Sequence, residues 1–379
     1  MRIAILYAGY ISRISGTSER VFQISRELAS QGVQVVLSGA VHSRSKQLKS
    51  VNLHVVAMPN RVFKLFEILV WITKLIAGGL ACRYDVVQLE SFPLFRSLIL
   101  IIILHPFSRR FITVFHDKLF KSNPKTTVSG RINIFLLKAL LTLSDISITP
   151  GLSVKMFFKE LCGESLSRKI VVIPNGSPII DVKRNSNIRV KYGLDKEAFI
   201  ALFFGSMTFK PNYEAAISLY RISKLISSKF REATGGRIIF TIAGMGSKLL
   251  PRSEHFIPLG FIEGLDELLS IPDIIILPHK QSHSGPHVKT MYSFLSGKPV
   301  VATEDAVKDM PYVTPGKHFL IFNIDNPDTL LNVLIKLYND RSLRENLAAN
   351  AYLYSRKLSW RFISQIHLKL YKKLLTTKS

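Results

Sequence analysis

Short apolar runs alternate with amphipathic stretches along most of the chain. Ile3–Tyr7 is apolar and of strand length, and the stretch after it carries Val21, Ile24 and Leu28 at helical spacing before Gly32. Val33–Leu37 is apolar again, so the first segment predicts a βαβ unit in which Gly32 ends the helix. Val86–Leu89 and Ile112–Phe115 read as buried strands, Ile132–Leu143 as a helix, and Ser147–Thr149 and Ile170–Ile173 as further strands. The polar stretch from Ser177 to about Asn187 reads as a linker. A second alternation follows, with strands expected at Ala201–Phe204, Ile238–Ala243, Ile274–Leu277, Val300–Thr303 and Phe319–Phe322. Asn326-Pro327-Asp328 supplies a cap, a first-turn proline and an early acid for a helix carrying Leu331, Leu334 and Leu337.

Two α/β series of similar length predict two Rossmann-like, doubly wound domains, at 1–180 and 181–356, followed by a terminal segment at 357–379. A chain of 379 residues is long enough for two such cores. Leu98–Leu104 is uninterrupted but too short to cross a bilayer. In Leu65–Cys82 the residues Glu67, Trp71, Lys74 and Gly78 recur at helical spacing as one polar or small stripe. That stripe fits a core helix better than one lying in a membrane interface.

Composition adds one strong feature: 51 Lys and Arg stand against 26 Asp and Glu, a net charge of +25. Such an excess favours anionic partners, including acidic lipid surfaces and phosphorylated substrates. The basic residues are scattered and no aromatic-basic RNA signature is present, so no specific nucleic-acid partner is expected. Two cysteines, Cys82 and Cys162, exclude a disulfide scaffold and a zinc cluster and suggest a reducing cytoplasm. The opening MRIAILYAGY reads as a first strand and not as a signal peptide.

Three segments carry candidate chemistry. The loop Ser12–Ser18 contains Gly16 between a strand and a helix start, where backbone can approach a phosphate. The absence of GxGxxG argues against a nicotinamide dinucleotide. Next, Phe204-Gly205-Ser206-Met207-Thr208-Phe209-Lys210-Pro211-Asn212 frees the backbone at a strand tip and sets Lys210 at the next helix. A solvated lysine reads equally well there. Last, Ser284-Gly285-Pro286-His287 is a small-residue loop entering a helix with Lys289, and that helix ends at Gly297. No Asp-x-Asp pair is present to hold a metal.

In this order and spacing, the segments resemble the GT-B glycosyltransferases of the large retaining family 4. Further matching pieces are Ser18-Glu19-Arg20-Val21, Ile173-Pro174-Asn175-Gly176, Ala243-Gly244-Met245-Gly246, Leu259-Gly260-Phe261 and Gly297-Lys298-Pro299-Val300-Val301. Ser359-Trp360 opens a basic helix that looks like the family's last helix, which returns to the first domain. The resemblance covers nearly the whole chain. It implies two domains facing each other across a cleft, the first on the acceptor side and the second binding a nucleotide sugar, which acts as co-substrate without a further cofactor.

The resemblance also implies that Gly16 and Thr17 close over the donor phosphates and that Lys210 lies near the diphosphate. His116, after the strand Ile112–Phe115, matches a histidine beside the transferred sugar. The donor site would be completed by Ser206, Ser284, Gly285, Pro286, His287, Lys289 and Tyr292. There is one clear departure. Relatives carry two glutamates eight positions apart where this chain has Ser284 and Tyr292. A tyrosine can make one hydrogen bond but cannot chelate two ribose hydroxyls as a carboxylate does. The expected activity is metal-independent transfer to a glycan or lipid-linked acceptor, at the inner face of a membrane. A sugar-nucleotide-binding relative with impaired catalysis, a scaffold protein and a sugar-nucleotide epimerase are the alternatives.

Overall fold

The computed structural model describes residues 1–11, 15–40, 52–57, 71–77, 83–90, 93–119, 124–180, 182, 187–280 and 288–377. The chain divides into two compact units: Met1–Asn175 together with the segment from Trp360, and Gly176–Ser282 together with Pro286–Ser359.

In the first unit, strands β1 (Arg2–Tyr10), β2 (Gln34–Ala40), β3 (Leu53–Ala57), β4 (Tyr84–Glu90), β5 (Ser108–Val114), β6 (Ile146–Thr149) and β7 (Ile170–Val172) form one parallel sheet. Its order is β3-β2-β1-β4-β5-β6-β7, so the winding reverses between β1 and β4. The helices are α1 (Gly16–Ser30), α2 (71–77), α3 (Leu94–Leu104), α4 (Val128–Leu143), α5 (Leu152–Cys162) and the short α6 (Glu164–Ser167). Right-handed crossovers put α1 on one face of the sheet and α3, α4 and α5 on the other. There α3 packs beside α4, and α4 beside α5. Leu6, Val87, Leu89, Leu100, Leu104, Phe111 and Leu137 fill the core between that layer and the sheet.

Three sequence expectations change here. The loop Ser12–Ser18 is shorter than expected, because α1 begins at Gly16. Ser15 caps it: its hydroxyl accepts from the Ser18 amide at 3.2 Å, and the Ser18 hydroxyl accepts from the Ser15 amide at 3.1 Å. Trp71 does not belong to a polar stripe. It is buried with Leu75 and its indole donates to the Ser38 hydroxyl at 2.6 Å, whereas Lys74 is exposed. Glu67 and Gly78 lie outside the described residues. The strand predicted at Ile112–Phe115 begins earlier and ends at Val114, which leaves Phe115 and His116 just beyond its carboxyl end.

The second unit has α7 (Ile188–Lys191), β8 (Phe199–Phe204), α8 (Lys210–Thr234), β9 (Ile238–Ala243), β10 (Phe256–Gly260), α9 (Leu265–Ser270), β11 (Ile274–Leu277), α10 (Val288–Leu295), β12 (Val300–Ala302), α11 (Glu304–Val307), β13 (Leu320–Ile321), α12 (Pro327–Asn339) and α13 (Arg341–Lys357). Its parallel sheet runs β10-β9-β8-β11-β12-β13, reversing between β8 and β11. Strands buried on both faces need nearly continuous apolar sequence, and Phe199–Phe204 and Ile274–Leu277 are fully buried runs of that kind. Asn326 holds the cap position of α12, but its side chain makes no capping bond. Instead the Thr329 hydroxyl donates to the Asn326 carbonyl at 2.7 Å.

The last helix, α14 (Trp360–Thr376), belongs to the first unit and packs along α1. Trp360, Ile363, His367 and Tyr371 are its buried stripe, at the spacing of one helix face.

Candidate functional site

Ligands of doubly wound sheets bind at the carboxyl ends of strands where the winding reverses. In the second unit that point lies between β8 and β11. Gly205 follows β8 with φ of 152°, and a Cβ there would meet Asn212 Nδ2 at 2.9 Å and Lys289 Nζ at 3.0 Å. Gly244, after β9, has φ of 129° and lies so close to Gly205 that a Cβ would fall 1.9 Å from the Gly205 carbonyl oxygen.

Three polar side chains converge beside this thin backbone. The Lys289 ammonium, from the first turn of α10, donates to Asn212 Oδ1 and lies 3.0 Å from His279 Nε2. Asn212, in the first turn of α8, donates through Nδ2 to the Ser206 carbonyl at 2.8 Å. His279 follows β11 and its carbonyl accepts from the Thr303 hydroxyl at 2.5 Å. The Phe203 ring lies beneath, 5.1 Å from the ammonium and edge-on to His279. Among the described residues no carboxylate pairs with Lys289, and burial lowers its pKa to about 7. The cluster is therefore a cation beside exposed backbone, without a counter-ion.

The other predicted donor residues of this unit fall differently. Ser206 belongs to the cluster through its carbonyl, and its hydroxyl is 2.7 Å from that of Thr208. Lys210 points into solvent, with its side chain 83% exposed, and pairs with Glu214 at 3.5 Å. Tyr292 is buried on α10, one turn beyond Lys289. Ser284, Gly285, Pro286 and His287 lie outside the described residues.

In the first unit the reversal lies between β1 and β4. Glu90 ends β4, and its Oε2 is 2.6 Å from His116 Nε2, both residues being buried. Glu90 Oε1 accepts from Gln88 Nε2 at 2.5 Å, and Gln88 Oε1 accepts from the Tyr371 hydroxyl at 2.6 Å. His367 Nδ1 lies 3.1 Å from that hydroxyl, and its Nε2 lies 3.4 Å from Arg20. Arg20 in turn donates to the carbonyls of Ile173 and Pro174 and to Asn175 Oδ1. Burial pushes the Arg20 pKa down to about 10 and the Tyr371 pKa up. Burial, reinforced by the Arg20 charge, holds His367 neutral, well below the usual histidine range. Gly16 and Thr17 form the opening of α1, and Tyr7, near the end of β1, bonds to Ser15 within electrostatic reach of Glu90 and Asp117.

The sequence reading missed Asn212, His279, Glu90 and Gln88. Asn212 carried a signal, because it stands two residues after Lys210 and about 200° around the helix from it. A cavity of about 970 Å³ lies at the opposite, amino ends of the second sheet. Its lining includes Asp273 before β11 and Pro299 before β12, and Arg189 there is already paired with Asp273 at 2.8 Å.

Two Rossmann-like units, each built on one parallel sheet, give the chain the GT-B fold. Residues 14–179 match the model of Glycosyltransferase Family 4, and residues 198–340 match that of Glycosyl transferases group 1. The chain is a glycosyltransferase of this two-part type, carrying one of these domains in each half.

Solved structures with the same fold include sucrose-phosphate synthase from Thermosynechococcus elongatus, at 15% identity and TM-score 0.72, with all of both chains covered. Another is HepE from Anabaena in complex with UDP and glucose, at 17% identity and TM-score 0.73, covering 98% of this chain and all of that one. A third is the catalytic domain of starch synthase IV from Arabidopsis thaliana bound to ADP and acarbose, at 11% identity and TM-score 0.72, with all of both chains covered. No curated protein sequence matches. Among the described residues, no helix is long and apolar enough to cross a membrane.

Proposed function

We propose that the enzyme takes a sugar from a nucleoside diphosphate sugar and transfers it, with retention of configuration and without a metal, to a glycan or lipid-linked acceptor at a membrane surface. The observation that carries this reading is the Lys289 ammonium, which among the described residues has no carboxylate partner and lies beside Gly205. A diphosphate supplies the missing counter-ion, and the similar structures with UDP and ADP bound make that ligand class the natural one.

In this reading residues 181–356 form the donor side, residues 1–180 the acceptor side, and 357–379 the closing helix. The diphosphate lies on the amides at the start of α10 with Lys289 as its close cation, and Ser284, Gly285, Pro286 and His287 are assigned to the donor by the family resemblance. Ser206 contributes at the strand tip, and Lys210 reaches in from α8 after releasing Glu214. Gly16 and Thr17, at the opening of α1, are assigned to the donor phosphates by the family resemblance. Charge developing on the departing diphosphate is neutralised by these groups, so transfer is expected to survive EDTA. His116, held by Glu90, orients the sugar and acceptor. Tyr292 offers the nucleoside one hydroxyl where relatives offer a carboxylate.

The test is titration with a panel of nucleotide sugars, read by calorimetry and melting temperature. A donor at a hundred times its Kd should stabilise the protein by about 2.7 kcal/mol. His116→Ala should lower turnover about 100-fold or more while leaving donor affinity nearly unchanged. Absence of stabilisation by any nucleotide or nucleotide sugar sinks the donor site, and undiminished transfer by His116→Ala refutes its assigned role. The replaced glutamates at Ser284 and Tyr292 favour one second reading, a donor-binding protein with impaired catalysis. Tight binding without transfer or donor hydrolysis would select it.

A further inference from the structure

The helices on the α3 side of the first sheet leave apolar side chains in water. On α3 the exposed positions are Phe95, Ile99 and Ile102, and on α4 they are Val128, Ile132 and Phe135. Both sets follow the i, i+4, i+7 spacing of a single helix stripe. Each helix also buries its opposite stripe in the core, through Leu100, Ile101 and Leu104 on α3 and Leu137, Leu140 and Leu141 on α4. A helix that is apolar on both sides has a second apolar surroundings to satisfy. Ile102 is 67% exposed and Phe135 is 70% exposed, far beyond the scattered apolar residue of an ordinary surface. Because α3 packs beside α4, the two stripes lie on one face of the layer. Neighbouring α5 continues it with Leu152 and Met156, one turn apart.

The charge around α3 and α4 is almost all positive, and α5 adds Lys155 and Lys159 against one acid, Glu160. From Leu94 to Leu143 there are eight Lys and Arg and a single acid, Asp117. Arg96 lies on α3 and Arg131 and Lys138 on α4, all exposed, while neither helix contains an Asp or Glu. Met1–Asn175 with Trp360–Ser379 holds 28 Lys and Arg against 9 Asp and Glu, whereas Gly176–Ser359 holds 23 against 17. The positive excess of the chain therefore belongs mainly to the unit that exposes the apolar stripes.

We infer that the α3–α4 face docks on an anionic phospholipid bilayer. The stripes enter the headgroup–acyl boundary while Arg96, Arg131 and Lys138 meet lipid phosphates. An apolar face fringed mainly with bases has the charge complementary to an anionic lipid surface. The inference builds on the proposed membrane-side acceptor and does not use the donor cluster, so the two fail separately.

The experiment uses the full chain with vesicles of phosphatidylglycerol and phosphatidylcholine, and with vesicles of phosphatidylcholine alone. The wild type should sediment with the first and stay in solution with the second. Phe95→Ser/Ile102→Ser/Phe135→Ser should lose about tenfold or more in vesicle affinity, and Arg131→Glu/Lys138→Glu should lose as much. All five substituted positions are exposed, and an unchanged melting temperature verifies folding. UDP affinity by calorimetry should be the same in both variants. Three results overturn the docking: no binding of the wild type to anionic vesicles, binding kept by both variants, or a wild-type dimer in sedimentation that the apolar variant abolishes while vesicles remain unbound.

Discussion

An ammonium held by an amide oxygen, an imidazole and an aromatic ring gains a counter-ion only when a ligand brings one. With its pKa lowered to about 7 by burial, Lys289 loses its proton in the free protein as pH rises through neutrality. A bound diphosphate favours the charged form, so binding above that pH must take up a proton. Affinity for a nucleotide sugar, whose diphosphate does not titrate here, should be greatest below pH 7 and fall by up to about tenfold per unit above it. Stability of the free protein has the opposite slope. The unfolded lysine keeps its proton up to its ordinary value near 10.5, so between about 7 and 10.5 the unfolded state binds more protons and stability rises with pH. Lys289→Met should flatten both slopes. Calorimetry in two buffers of different ionisation enthalpy reads the proton directly, and a pH-independent affinity refutes the assignment. Lys289 could be found in the sequence because a small-residue loop leads into its helix. Lys210 was legible by its charge and pairs with Glu214 in solvent, whereas Asn212, on the inward side of the same helix, was not legible.

Among the elements, α14 depends on a neutral histidine. His367 is enclosed by Arg20 from α1 and Tyr371 one turn along, and protonating it would set two cations together with no carboxylate among the described residues hydrogen-bonded to either, Glu90 acting only at longer range. Its folded pKa is depressed, so below the unfolded value near 6.5 the unfolded chain binds the extra proton and stability drops as pH falls. The loss can reach about 1.4 kcal/mol per pH unit for one such group. His367→Gln should lower stability at pH 7 but lose less between pH 7 and 5 than the wild type, in urea unfolding followed by circular dichroism. Equal losses would assign the acid sensitivity elsewhere. Neither the strand β3 nor β10 was expected from the sequence, and both are sheet edges. An edge strand needs only one partner, which lets β10 carry Pro258 and end at Gly260 with φ of 86°. The interior strands β1, β8, β9 and β11 are largely apolar on both faces, and those were legible. The Glu90–Gln88–Tyr371 chain was not, because it joins the end of β4 to a helix 283 residues away.

At the scale of the molecule, the charge excess and the Lys289 cluster belong to different units. Most of the positive excess lies in the first unit, while the Lys289 cluster lies in the second, where 23 Lys and Arg are nearly balanced by 17 Asp and Glu. Long-range attraction through water is screened over about 10 Å at 0.1 M salt, whereas a contact inside a partly buried site is screened much less. If the donor is held by Lys289 and helix-start amides, raising salt should weaken nucleotide-sugar binding only slightly, by about threefold or less between 0.05 and 0.5 M KCl. If the donor is instead gathered by the diffuse charge of the first unit, several basic groups act at once and affinity should fall far more steeply. Lys289→Met separates the cases again. It should abolish most of the affinity at every salt concentration in the first case, and change the salt slope by no more than one charge in the second. Calorimetric Kd values for wild type and variant across that series decide between a built phosphate site and a merely basic protein.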